Sequence, residues 1–244
     1  MFFCEIYGGP PGRHQIGRRQ GQNWNRDKGH SPGPGGVFGG LDDLVRAGKV
    51  LYIGISDTPA WVASRAQAIA ELRGWSAFVA YQGAYNVVNR GIEADVLPMT
   101  RALGMSVLAF DLLGGGALTG KFNRPEGPGE PTRARQVGET ARAAADVVMR
   151  VAEEVGRTPS QVAIHWATRR APNIIPIVGA RRLSQLADNL GALDFELTVE
   201  QMDALTAVRP LPREYPHSFW NDYIRRDLIY GRAVDNLNKD HWPL

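Results

Sequence analysis

Four short apolar runs, Val50 to Ile55, Phe78 to Tyr85, Ser106 to Asp111 and Ile174 to Val178, stand between segments whose apolar residues recur at helical spacing. Strand-length runs alternating with helices predict parallel strands joined by right-handed crossovers, with the helices packed against the sheet. The fold class expected is therefore α/β. A closed (β/α) barrel needs eight strands. The pattern predicts a partial TIM-type barrel with four parallel strands.

The helices between these runs carry their own punctuation. Leu41, Leu44 and Val45 share one helical face, and Gly48 supplies the stop. Thr58-Pro59 reads as an N-cap followed by proline at the first helical position, and Trp61, Ile69 and Leu72 are expected to face inward behind it. Ala144, Val147, Val148, Val151, Ala152 and Val155 line one face of a later helix. Thr158 to Gln161 and Thr198 to Gln201 fit capping boxes.

The ends of the chain differ from its middle. Residues 1–40 hold eleven of the 28 glycines and four prolines, with almost no apolar period, so they are expected to be a disordered or loosely attached arm. Residues 41–208 form the half barrel, and 209–244 an aromatic and charged tail over the ligand face or a subunit interface. The loop from Leu112 to about Gly138, rich in Pro and Gly, reads as a mobile flap.

Bulk properties narrow the function classes. A net charge of +3 without any block of Lys and Arg offers no footprint for nucleic acid. No apolar run reaches the roughly 20 residues needed to span a bilayer. A single cysteine, Cys4, forms no internal disulfide, which suggests a reducing, cytoplasmic setting. His165 lies within a helical pattern and reads as a packed side chain; His217 and His241 have no metal-ligand spacing, so no metal is expected.

Chemistry concentrates where the third run ends, in Ser106 to Phe122. Gly115, Gly120 and Lys121 satisfy most of a phosphate loop, but Phe122 stands where a magnesium-holding hydroxyl is required, and a nucleotide triphosphatase is excluded. The stretch AFDLLGGGALTGKF resembles the strand-seven loop of the aldo-keto reductases. The run Pro176 to Asn189, PIVGARRLSQLADN, is similar to that family's adenosine 2′-phosphate site, and YQGAYNVVNR to its aryl-alcohol dehydrogenase and norsolorinic acid reductase branch. The resemblance extends from about Leu41 to about Val208, the C-terminal half of the family's barrel.

It implies NADP as cofactor. Ser56, Asp57 and Gln82 would meet the carboxamide and Phe110 the nicotinamide ring. Leu112, Gly114 and Lys121 would also bind the cofactor, Gly179 and Arg181 would meet the 2′-phosphate, and Gln185, Asp188 and Asn189 the adenine. Asp57 replaces the commoner Asn and Asp111 the commoner Ser; a carboxylate at 111 repels a pyrophosphate unless a cation compensates. That leaves retention of the cofactor open.

The family's catalytic Tyr, Lys, Asp and His belong to the first four β-α units, which have no match in this sequence. Asp111, Tyr85 and Tyr81 are the strand-end groups left to do proton chemistry. Three readings stay open: an oxidoreductase of secondary metabolism, a non-redox enzyme (cyclase, dehydratase or isomerase) for an aromatic or polyketide-like ligand, and a ligand-binding pseudoenzyme. Half a barrel has open edges, so a homodimer or an arm folded across the gap is expected.

Overall fold

The structure, a computed structural model, describes residues 2–5, 34–123 and 137–211, together with Tyr215, Ser218, Phe219, Gly231 and Ala233. The segment 124–136, about half of the expected flap, and Tyr223, Tyr230 and Trp242 of the tail lie outside the described residues. Among the described residues no helix is long and apolar enough to cross a membrane.

One five-stranded sheet has the order β1 (Phe2–Glu5), β2 (Tyr52–Ser56), β3 (Phe78–Ala84), β4 (Ser106–Phe110) and β5 (Ile174–Pro176). The strands β2 to β5 are parallel and follow chain order, as consecutive β-α units require. This is the partial barrel predicted. The strand β1 runs antiparallel on the outer edge of β2, with Phe2 opposite Ile55, and covers backbone groups that an edge would expose.

The helices are α1 (Pro34–Arg46), α2 (Ala60–Arg73), α3 (Val96–Ala102), α4 (Glu139–Glu154), α5 (Pro159–Arg169), α6 (Leu183–Leu190) and α7 (Val199–Ala207). Strand alternation turns Ile53, Ile55, Val107, Ala109 and Ile174 into the core, while Tyr52 and Ile175 point the other way and stay exposed. Two cores result. One joins Phe38, Ile53, Phe78 and Met105 near α1 to α3. The other gathers Val107, Leu118, Val148, Trp166 and Leu205 near α4, α5 and α7.

Both capping boxes form, with Thr158 and Thr198 each accepting from the backbone N–H three residues on. The face predicted for α4 is the buried one, through Ala144, Val148, Val151 and Ala152. Two local expectations are corrected. Helix α1 starts at Pro34, earlier than Leu41. Helix α2 is capped by Pro59, because the Thr58 hydroxyl donates back to the Ser56 carbonyl at 2.9 Å; it buries Ala63, Ala66, Gln67 and Ala70 and leaves Trp61 and Leu72 68% and 86% exposed. Gln67 exchanges two hydrogen bonds with the Phe78 backbone, 3.0 and 2.7 Å long. Small residues let the helix come close enough to make them.

Candidate active site

Parallel register brings the C-terminal strand ends to one rim. Ser56 stands opposite Gln82, Gln82 opposite Leu108, Ala84 opposite Phe110 and Ala109 opposite Pro176. The residues named for the nicotinamide end thus share one edge of the sheet, and Gly179 to Asn189 follow β5 at the same edge.

Two rim residues carry a backbone conformation that L-residues avoid. Asp57 has φ +48° and Asp111 φ +58°, and they are the non-glycine residues with positive φ among those described. Left-handed backbone costs about 1–2 kcal/mol for an ordinary residue, and Asp tolerates it by bonding locally. Asp111 does so: its Oδ1 accepts from the Gly115 amide at 2.7 Å and its carbonyl accepts from Gly114 at 2.9 Å. Its carboxylate is turned onto its own glycine loop. The Asp57 amide donates to the Gln82 carbonyl at 3.1 Å and sews the ends of β2 and β3 together.

Asn86, which sequence reasoning left out of the site, does the same for β3 and β4. It is buried, its Nδ2 donates to the Asp111 carbonyl at 2.8 Å, and its Oδ1 accepts from the Val88 and Asn89 amides at 2.9 and 2.7 Å. An Asn that ends a strand and turns the chain is the signal that could have found it.

Tyr85 is corrected. It is fully buried, stacked on Trp166 with centroids 5.4 Å apart, and its hydroxyl donates to Glu93 Oε1 at 2.6 Å. Burial, then the neighbouring carboxylate, push its phenol far above the ordinary range. It cannot pass a proton to a ligand on the rim. The Tyr81 phenol is also raised by burial, and its hydroxyl donates to the Thr58 carbonyl at 2.9 Å while accepting from the Thr58 amide at 3.1 Å. Tyr85→Phe is therefore expected to cost about 1–2 kcal/mol of stability, the loss of one bond to a buried charge, with ligand affinity at the rim unchanged. Chemical denaturation beside a binding titration checks both halves.

The remaining candidates separate. Leu112 packs into the core, so its backbone alone can meet a ligand; Gly114 has φ +58°; and Lys121 Nζ lies 5.7 Å from the Phe122 ring. After β5, Gly179 is exposed and a Cβ there would meet nothing within 4 Å. The Arg181 amide donates to Gln185 Oε1 at 2.9 Å, and Asn189 Nδ2 lies 3.5 Å from the Gly179 carbonyl. Asp188 is corrected: its carboxylate accepts from Thr158 Oγ1 at 3.0 and 3.1 Å and its carbonyl from Gln161 Nε2, which ties it to the start of α5. His165 packs in the core as its helical setting predicts, and among the described residues no cluster of His, Cys, Asp and Glu could hold a metal. A cavity of about 700 Å³ adjoins the rim, lined by Asp57, Trp61, Tyr81, Asp95 and Met99 among others.

Residues 34–210 match the model of the Aldo/keto reductase family. The chain is 37% identical over 193 residues to a protein of Saccharomyces cerevisiae named probable aryl-alcohol dehydrogenase AAD4, covering 76% of this chain and 59% of that one. It is 35% identical over 216 residues to the aryl-alcohol dehydrogenase [NADP(+)] of Phanerodontia chrysosporium, covering 85% and 55%. Identity to norsolorinic acid reductase B of Dothistroma septosporum is 34% over 183 residues, covering 73% and 46%. The chain spans about half the length of the curated relatives it matches.

Proposed function

The chain belongs to the aldo/keto reductase family, and we propose that it holds NADP(H) along the strand-end rim, as a scaffold derived from carbonyl and aryl-alcohol oxidoreductases. One observation carries this reading: Ser56, Gln82 and Phe110 stand toward the C-terminal ends of three adjacent parallel strands, and Arg181 stands just before the helix that follows the next strand. The donor set fits the group. Ser56 and Gln82 suit an uncharged carboxamide, and Arg181 suits a phosphate. The NADP(+) in the name of the Phanerodontia chrysosporium relative supports the choice of cofactor.

When bound, the nicotinamide supplies a hydride. What the chain must add for a carbonyl substrate is a proton, and general-acid help is worth about 10²–10⁴-fold. The strand-end phenols described above are both committed to internal bonds. Neither phenol is placed to give that proton, and binding without turnover is the second reading, favoured by the committed state of Tyr81 and Tyr85. The names of the relatives support an aromatic or polyketide-like ligand and a role in secondary metabolism, and the lone cysteine supports a cytoplasmic setting.

Titrating NADPH while following protein fluorescence tests the reading. Saturable binding is expected, weakened about tenfold by Arg181→Ala with little change for NADH, the size of one charge-assisted contact. No saturation up to about 0.5 mM, a binding energy under about 5 kcal/mol, would sink it. Single-turnover oxidation with aromatic aldehydes then separates enzyme from binder.

A further inference from the structure

Exposed apolar side chains gather on α6 and just beyond it. Leu183, Leu186, Leu190 and Leu193 are 82%, 39%, 53% and 65% exposed. The first three recur at i, i+3 and i+7, so they share one face of α6, and Leu193 continues the stripe in the 3₁₀ turn Gly191–Leu193. Helices α4 and α5 bury stripes of this kind. Among the described residues, nothing covers the one on α6.

The strand beside it decides what sort of partner fits. In the described sheet β5 is the terminal strand, yet its outward edge offers no donor for another strand. Its outward positions are Ile174, whose amide donates to the Ala171 carbonyl at 3.2 Å, and Pro176, which has no N–H. Extending the sheet is disfavoured, so the surface calls for a helix.

We propose that α6 is the surface through which two copies of this chain associate, their α6 helices packed antiparallel across a two-fold axis. The stripe is self-complementary under that operation, as an isologous contact must be: Leu183 meets Leu193 and Leu186 meets Leu190. Covering the four leucines and their surroundings on two copies removes on the order of 1,000 Å², the lower bound for a specific interface, so the dimer is of modest affinity.

Sedimentation or light scattering on the purified chain is the test. A particle of twice the 26.7 kDa chain mass is expected at tens of micromolar, and the double variant Leu186→Glu, Leu190→Glu should be monomeric with unchanged far-UV circular dichroism. Leu72→Glu, equally exposed but on α2, should remain dimeric. Should the double variant fail to fold, Leu186→Cys and Leu190→Cys chains, each carrying Cys4→Ser, should form a mixed disulfide on mild oxidation. A monomeric parent chain, a dimer indifferent to the α6 changes, dissociation by Leu72→Glu, or absence of the mixed disulfide in a dimeric preparation would each overturn the proposal.

Discussion

Replacing Glu93 with alanine is expected to destabilise the protein by about 3–5 kcal/mol, the usual cost of removing one partner from a buried ion pair. Glu93 accepts from Tyr85 at 2.6 Å, from Arg90 Nε and Nη2 at 2.8 Å each, and lies 3.4 Å from Arg170 Nη2. Arg90 is 5% exposed, so its charge would be left buried with only carbonyls beside it. Those carbonyls matter: Arg90 Nη1 donates to Thr206 and Arg209 at 2.6 and 2.9 Å, and Arg209 Nη1 donates back to the Val88 carbonyl at 2.9 Å. The cluster thus clasps the end of α7 to the turn that carries Asn86, and through Asn86 to the rim.

The same carboxylate gives a pH signature. Burial pushes the Glu93 carboxyl up, but hydrogen bonds from Arg90 and Tyr85 and the charges of Arg90 and Arg170 outweigh it and hold it below the ordinary value of 4.5. A carboxyl whose folded pKa lies below its unfolded pKa stabilises fully above the unfolded value and loses that contribution as pH falls through the folded one. Acid destabilisation beginning near pH 4.5 is therefore expected in urea titrations, and Glu93→Gln should flatten the slope below it. Asp42 and Glu200 are also held low and persist in the variant, so the difference between the two profiles isolates Glu93. Superimposable profiles, or a Glu93→Ala cost under about 1 kcal/mol, the worth of a surface pair, would show the cluster to be solvent-screened.

What was legible in the sequence follows from where the information sits. The parallel strands and the α4 face were readable because they are written in local periods, and the two capping boxes because each is complete within four residues. The inward face of α2 was misread because reading a period favours large apolar residues. Close approach of a helix to a sheet selects small ones, here Ala63, Ala66 and Ala70. Tyr85 was misread for a different reason. At the end of a continuously apolar strand, sequence cannot say which face a residue takes, and the group that claims its hydroxyl is Glu93, which Arg170 approaches from far along the chain. Asp111 was singled out for its charge, whereas its positive φ and its bond to Gly115 belong to the folded loop alone.

Trp166→Ala is expected to cost about 3–5 kcal/mol, as for a fully buried large aromatic. The ring is wholly buried, stacks on Tyr85, donates through Nε1 to Thr206 Oγ1 at 3.1 Å, and has the guanidinium carbons of Arg90 and Arg170 each 5.8 Å from its centroid. It is the floor on which the Glu93 cluster rests. The two substitutions should therefore fail to add: once the ring is gone, Tyr85 and both arginines can relax toward water, and removing Glu93 then strands less charge. A double-mutant cycle is expected to show coupling of about 1–3 kcal/mol, the range for residues in one network. Because the Asn86 turn hangs from this cluster, affinity at the rim should fall in Trp166→Ala at temperatures below its unfolding transition. Strict additivity with rim affinity intact would mean that the cluster merely fills space and leaves the strand ends to hold themselves.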